Sequence, residues 1–162
     1  MHDCERLIAE LKQEAALTRS VLERVPQDKL SWKPHEKSMS LGQLALHTAG
    51  VTGGVAELLD ERIREAPVVP LPEAVSLDEI LSALDQYVTL AENKLLAWGE
   101  AGLTETWKLT SKGTTIVEAP RIDMVRTLML NHWYHHRGQL TVYLRLLEVP
   151  VPAIYGPSAD ER

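Results

Sequence analysis

Three of the chain's six histidines lie within five residues of the segment Asn131-His132-Trp133-Tyr134-His135-His136-Arg137-Gly138-Gln139. The segment belongs to a longer stretch, from about Ile122 to Leu147, whose apolar spacing predicts a helix. Because helical side chains step by about 100° per residue, His132 and His136 lie about 40° apart, one turn above the other. Both are predicted to face the core, whereas His135 falls at the edge of the apolar stripe.

Two stacked imidazoles in apolar surroundings need partners, because an unpaired buried polar group is costly. A divalent metal ion bound by His132 and His136 would satisfy both rings. Hydrogen bonds to backbone carbonyls or carboxylates, in the core or at an interface, would satisfy them as well. This segment alone leaves both interpretations open.

The composition is that of an ordinary globular protein, and 162 residues predict a single domain over residues 1–162. The net charge of −6 and the absence of a basic run disfavour nucleic acid as a partner. No apolar run approaches the roughly 20 residues of a membrane span, and Met1–Arg6 lacks a signal-peptide pattern. Cys4 is the only cysteine, which excludes an internal disulfide and a thiolate zinc cluster. We therefore predict a cytoplasmic protein that does not bind membranes.

The N-terminal third of the chain predicts two helices separated by a loop. Apolar residues at helical spacing predict the first helix over Asp3–Val25, with Asp3 as its N-cap and Pro26 ending it. Residues 26–40 are predicted to be a loop in which Trp32 closes one end of the core. Ser40 and Gln43 then form a capping box, which starts a second helix that runs to about Arg64.

The second helix carries one further inward-facing histidine. His47 shares its side of the helix with Leu44, Val51 and Leu58, so it is predicted to point toward the core. A single inward histidine is usually a hydrogen-bonded core residue, and only a matching group elsewhere in the fold favours a ligand role. Three glycines follow it in the same helix, and they indicate either a close helix approach or space beside a ligand; they are Gly50, Gly53 and Gly54.

The rest of the chain completes a helical bundle. The proline-rich segment 66–75 is predicted to be extended, and a capping box at Ser76 starts a third helix that runs to about Glu100. The β-prone stretch 104–118 predicts a short hairpin or an irregular loop, and the tail after Glu148 is predicted to pack on the body. Four such helices with long connections predict an all-α four-helix bundle with crossover connections.

Helical bundles build metal sites from inward side chains on facing helices. His47, His132 and His136 are the candidate ligands for one divalent ion, with zinc or nickel favoured by three neutral imidazoles. Three protein ligands leave coordination positions open for water or substrate, which is typical of a catalytic site rather than a closed structural one.

The sequence resembles the DinB/YfiT-like family, the damage-inducible bundle proteins and not the DNA polymerase that shares the name. The matching motifs are Trp32-Lys33-Pro34, Ser40-Leu41, Leu44-Ala45-Leu46-His47 and the segment His132–Gln139. The resemblance implies a DinB-type four-helix bundle, commonly a homodimer, with a divalent metal held by His47, His132 and His136. Family members include metal-dependent thiol transferases and a thiol-dependent isomerase, and many have no established activity.

The other polar residues of the histidine segment have less specific roles. His135 is predicted to support a ligand, to lie at an interface or to lie on the surface, with the alternative that it replaces His136 as a ligand. Arg137 points away from the site and is predicted to form a salt bridge with a neighbouring helix or subunit. Gln139 either orients a bound water or ligand or simply packs, and Gly138 is predicted to let another helix approach.

Three functional hypotheses follow from these residues. The first is a metal-dependent thiol transferase or hydrolase that acts on a small molecule, with a low-molecular-weight thiol as the cosubstrate in the transferase case. No convincing general base can be named, because Glu118 and Asp123 lie near the start of the fourth helix but the sequence does not place them relative to the site. The second is a non-catalytic metal-binding or stress-response dimeric bundle, and the third is a purely structural bundle with hydrogen-bonded histidines.

Two further expectations concern assembly and pH. Leu128, Val142 and Leu146 lie beyond the core stripe, so we predict a two-fold homodimer with the fourth helix at or near the interface. Metal affinity is predicted to fall below about pH 6.5, because protons then compete for the histidine ligands.

Overall fold

The computed structural model describes residues 2–162, and most of them belong to long helices. The elements in chain order are α1 (Asp3–Leu22), α2 (Leu41–Asp60), β1 (Ile63–Glu65), α3 (Leu77–Thr104), β2 (Thr106–Ser111), β3 (Thr114–Pro120), α4 (Arg121–Met124) and α5 (His132–Leu146). A π-helical segment, Val125–Asn131, joins α4 to α5, so the three together form the fourth long helix. This architecture confirms the predicted helical bundle with long connections. Within residues 2–162, none of the helices has the length and apolar character needed to cross a bilayer.

Several predicted helix boundaries need correction. The first helix ends at Leu22 rather than Val25, because the last backbone N–H groups bond three residues back and tighten the chain into a turn. Its N-cap is His2 and not Asp3, and the His2 backbone N–H donates to Glu5. The third helix continues beyond Glu100 to Thr104, with an interruption at Gly99, where φ is +55°.

The second helix also ends early, because the chain leaves it to form a strand. It stops at Asp60 instead of Arg64, and Ile63–Glu65 pair in parallel with β2. The predicted hairpin is confirmed: β2 and β3 pair antiparallel around the turn at Lys112 and Gly113, both of which have positive φ. The result is a three-stranded sheet in the order β1-β2-β3, anchored to the bundle by the fully buried Trp107.

A continuous apolar core holds the helices together. Its largest fully buried side chains come from all four long helices and from the sheet; they are Leu11, Leu22, Leu41, Leu44, Leu59, Ile80, Leu84, Leu95, Leu103, Trp107, Met129 and Trp133. Trp133 also fixes α5 against α2, because its indole N–H donates to the Thr48 carbonyl at 2.8 Å. This contact lies one residue from His47 in one helix and from His132 in the other, so it sets the distance between the histidines of the two helices.

One glycine of α2 is required by the close approach of α3. A Cβ on Gly53 would lie 2.7 Å from the backbone oxygen of Tyr87 and 2.8 Å from its Cα, whereas a Cβ on Gly54 would meet no atom within 4 Å. The close-approach interpretation of the glycines is therefore confirmed at Gly53. At Gly54 the missing side chain leaves open space.

These two neighbouring glycines should respond to alanine in opposite directions. Gly53→Ala should destabilise the protein by about 1–3 kcal/mol, because backbone atoms must move to admit the methyl group. Gly54→Ala should stabilise it by about 0.5–1 kcal/mol, because alanine is the better helix former and fits the open space. Urea denaturation of both variants provides the comparison, and equal midpoints would show that α3 does not press on Gly53.

The C-terminal tail packs on the body, as predicted. Arg24 of α1 donates to the Pro150 carbonyl and forms an ion pair with Glu161. Tyr155 hydrogen-bonds to Glu14 at 2.7 Å, which places the tail against α1 and α5. The tail is therefore held to α1 and α5 by side-chain hydrogen bonds and an ion pair.

Candidate metal centre

The structure brings His47, His132 and His136 together between α2 and α5. The ring centroids are 5.4 Å apart for His47 and His132, 4.5 Å for His47 and His136, and 4.5 Å for His132 and His136. One potential ligand atom from each residue lies within 4.8 Å of the other two. This is the set of three that the sequence analysis put forward, and it is the group within residues 2–162 with the donor atoms for a metal site.

Two carbonyl oxygens fix the orientation of the α5 imidazoles. His132 Nδ1 lies 3.1 Å from the Leu128 backbone oxygen, and His136 Nδ1 lies 2.8 Å from Gln139 Oε1. A carbonyl oxygen only accepts hydrogen bonds, so each Nδ1 carries the hydrogen and donates it. In the neutral rings, each Nε2 therefore has a free lone pair.

These two lone pairs point at each other. The Nε2 atoms of His132 and His136 are 2.7 Å apart. With both Nδ1 hydrogens already donated, neither neutral ring has a hydrogen to place between the two nitrogens, and the lone pairs repel. A cation at this point removes the repulsion, and such orientation of ligand histidines through the other ring nitrogen is typical of metal sites.

Burial keeps the three rings neutral. It lowers the pKa of His136 to about 4, against the opposing effect of the hydrogen bond that His136 donates to Gln139, and the nearby histidines lower it further. Burial is also the main cause that lowers the pKa of His47 and of His132. Neutral imidazole is the form that binds a metal ion, so the electrostatics of the site suit a ligand set at neutral pH.

The lowered pKa values shift the expected pH dependence of metal binding. Protons compete with a metal only near and below the pKa of each ligand, so zinc affinity should change little between neutral pH and about 6.5 and fall at lower pH. Competition titrations against a chromophoric chelator across this range provide the measurement. A tenfold loss of affinity already at about pH 6.5 would contradict the neutral environment described here.

The neighbouring residues of the segment divide into structural and supporting roles. His135 is exposed and lies outside the cluster, with its ring 5.1 Å from that of His136. Arg137 forms the predicted salt bridge to another helix, with Glu14 of α1 at 2.6 Å. A Cβ on Gly138 would meet no atom of the described chain within 4 Å. The prediction that Gly138 lets another helix approach closely is therefore wrong for the helices of the same chain. Gln139 accepts a hydrogen bond from His136, a role that was not predicted for it.

Gln139 provides a direct test of this support. Gln139→Leu should weaken zinc binding by about 10–100-fold, because His136 loses the acceptor that fixes its tautomer and its ring orientation. Gln13→Leu is the matched control, since Gln13 is an exposed glutamine on α1 and far from the site in sequence. Isothermal titration of both variants gives the affinities. Equal binding by the two would mean that Gln139 does not orient the ligand.

An open cleft adjoins the histidines. It has a volume of about 580 Å³ and lies between α2, α3 and the proline-rich segment 66–75. His47 and His132 form part of its wall, and most of the remaining lining is apolar. Glu79 is the carboxylate that lines it; Glu118 instead pairs with Lys108 at 3.1 Å in the sheet, and Asp123 does not border the cleft. Neither Glu118 nor Asp123 is therefore at this site.

The chain is a helical bundle in which three histidines of facing helices converge beside an open cleft, and bundles of this kind can build metal sites from such side chains. Comparison with known proteins gives the family. The chain belongs to the DinB family, whose model matches residues 1–162. The resemblance noted in the sequence is thereby confirmed.

Three relatives agree with this assignment. An uncharacterized protein from Bacillus subtilis (strain 168), YrdA, is 27% identical over 149 residues, which cover 91% of this chain and 85% of that protein. A DinB-like protein from Bacillus cereus ATCC 10987 has a TM-score of 0.74 at 23% identity, covering 93% of this chain and 97% of the other. The DinB-like protein YjoA from Bacillus subtilis has a TM-score of 0.72 at 21% identity, with 93% and 98% covered. The two structures show the shared fold.

Proposed function

We propose that the protein is a metal-dependent enzyme that binds one divalent ion, zinc or nickel, through His47, His132 and His136. The observation that carries the proposal is the pair of facing Nε2 atoms, 2.7 Å apart, whose hydrogens are committed elsewhere. A cation between the two nitrogens would remove their repulsion, and the third imidazole within reach would complete a ligand set. Three protein ligands leave coordination open for a small-molecule substrate.

The residues around the site suit catalysis. The Leu128 carbonyl and Gln139 hold the two α5 rings, and the apolar cleft walls limit the water that reaches them. When bound, the ion would supply acidity, since it lowers the pKa of a coordinated water or thiol. Because His47 and His132 border the cleft, an ion held by them would lie beside the space where a substrate would enter.

Of the two reaction types we propose thiol transfer, because it needs no protein base at the site. A thiol is deprotonated by coordination itself, whereas metal-assisted hydrolysis commonly uses a carboxylate base beside the bound water. Glu79 is the one carboxylate that lines the cleft, and it already accepts a hydrogen bond from the Val75 backbone N–H at 2.6 Å. The thiol must come from a small cosubstrate, because Cys4 is buried and its Sγ donates to the Leu95 carbonyl.

The test supplies the metal-loaded protein with glutathione or free cysteine and chlorodinitrobenzene. The thiolate sulfur attacks the ring carbon, chloride leaves and the thiol proton passes to solvent, so adduct absorbance reports turnover. A nitrophenyl ester assay measures hydrolysis in parallel. We expect thiol transfer above the level of a His47→Ala control. No turnover above that control in either assay would overturn the proposed activity.

The main alternative is a non-catalytic metal-binding or stress-response bundle. That function predicts a metal site that is closed to solvent, whereas His47 and His132 border an open cleft of about 580 Å³. A purely structural bundle is the third candidate, and it requires histidines satisfied by hydrogen bonds alone. Elemental analysis of protein purified without a histidine tag separates these candidates, since absence of metal after loading favours the structural bundle.

We also propose a cytoplasmic homodimer that pairs through the outer face of α5. Val142 and Leu146 are each 57% exposed on this face, next to the open space at Gly138. Leu128, also named from the sequence, packs against the core instead. Light scattering at micromolar concentration should give twice the chain mass of 18.1 kDa, and a mass of 18.1 kDa would overturn the dimer.

A further inference from the structure

We propose that the cleft beside the histidines binds the uncharged, largely apolar body of a small molecule and, in the metal-free protein, discriminates against carboxylates. The inference deepens the proposed function, because it names the substrate class of the same site. The binding step itself does not need the metal. It can therefore be tested separately from the metal chemistry.

The walls of the cleft come from three parts of the chain and are mainly apolar. Its apolar and proline lining residues are Leu46, Val51, Val55, Leu58, Pro67, Val69, Pro70, Leu71, Pro72, Ala83 and Tyr87. A volume of about 580 Å³ is in the range of small-molecule sites, which are typically about 300–1,000 Å³. The lining therefore suits an apolar body, with the histidines at one boundary of the space.

The charges of the cleft explain the discrimination. No lysine or arginine is among its lining residues, and Glu79 is its only acidic side chain. In the metal-free protein, an anionic ligand would lose its hydration without gaining a cationic partner and would meet the negative charge of Glu79. An uncharged ligand of the same shape avoids both penalties.

The outer wall of the cleft is held in place before any ligand arrives. Gln43 Nε2 donates to the Leu71 carbonyl at 2.9 Å, and the Ser40 hydroxyl donates to Glu73 at 2.8 Å. The prolines of this segment restrict its backbone, so little ordering is needed on binding. The wall is therefore part of a preformed site.

Gly54 shows that space is kept open on the α2 side. Glycine inside a helix costs about 1 kcal/mol relative to alanine. No neighbouring atom requires it here, because a Cβ at this position would meet nothing within 4 Å, and yet the residue lines the cleft. A larger side chain at position 54 should project into the cleft without disturbing the packing of α2.

The first experiment measures binding of the neutral fluorophore phenylnaphthylamine to the metal-free full-length protein. We expect one binding site per chain and a loss of affinity of about tenfold or more in Gly54→Leu, which fills the cleft. Ala97→Leu is the matched control, because Ala97 is exposed on α3 and does not line the cleft. The control should bind like the wild type. Equal binding by Gly54→Leu and wild type, or no binding to wild type, would overturn the inference.

The second experiment tests the charge discrimination by displacing the fluorophore with decanol or with decanoate. These competitors share their chain length and differ in the charge of one end. We expect decanol to displace the probe at a concentration at least about tenfold lower than decanoate, and equal displacement would overturn the inference. Both experiments use metal-free protein. A negative result in them therefore does not count against the metal site, and failure of metal loading does not count against binding in the cleft.

Discussion

Replacement of His47, His132 or His136 by alanine is expected to lower zinc affinity by more than about 100-fold, beyond the loss from removing a supporting residue. Each variant removes one of the three imidazoles that the structure places around one point. Isothermal titration of untagged protein measures the affinity. The fold should survive each replacement, because the apolar core is independent of the site and metal contributes only binding-linked stability.

His135→Ala is the matched control for this series. His135 lies on the same helix and is adjacent to a candidate ligand, but it is exposed and outside the cluster. Its replacement should leave zinc affinity close to that of the wild type. Normal binding in His136→Ala together with loss in His135→Ala would show that the assignment of the helix face is wrong by one residue.

Arg137→Ala is expected to destabilise the protein by about 3–5 kcal/mol, because it leaves a buried charge without its partner. The guanidinium is buried and pairs with the equally buried Glu14 at 2.6 Å. It also donates to Thr18 Oγ1 at 3.2 Å and hydrogen-bonds to the Tyr155 hydroxyl. Without the Arg137 guanidinium, the Glu14 carboxylate keeps only the hydrogen bond from Tyr155. The contact that joins α1, α5 and the tail is then lost.

Arg145→Ala on the same helix is the control for Arg137. Arg145 also forms an ion pair, with Asp160 of the tail, but this pair is exposed to solvent. Exposed ion pairs contribute little to stability, so the urea midpoint of this variant should lie much closer to that of the wild type. Similar midpoints for the two variants would show that the Arg137 network does not stabilise the fold.

The sequence predicts the geometry of the site where the residues involved are close together in the chain. His132 and His136 are four residues apart, so helical geometry alone places them on one face, and the structure confirms this. His47 is distant in the chain, and only its inward position on a facing helix linked it to the other two. The contact between Trp133 and the Thr48 carbonyl that sets their separation has no signal in periodicity.

Features that depend on tertiary contacts were not predictable. The strand Ile63–Glu65 is three residues long and pairs with a distant strand, so it carries no pattern of its own. The π-helical segment Val125–Asn131 departs from the α-helical step of 100° per residue, from which the apolar stripe of the fourth helix was predicted. The cleft exists because the segment 66–75 runs beside α2 and α3, and its composition predicts only that it is extended.

The most direct test of the account is a crystal structure of untagged protein loaded with zinc, with anomalous diffraction recorded at the zinc edge. The account predicts one strong anomalous peak per chain, about 2.0–2.1 Å from one ring nitrogen each of His47, His132 and His136. The two α5 ligands should bind through Nε2, with Nδ1 of each still hydrogen-bonded to Leu128 or Gln139. No peak at this point, or a peak bonded to His135 instead of His136, would contradict the account.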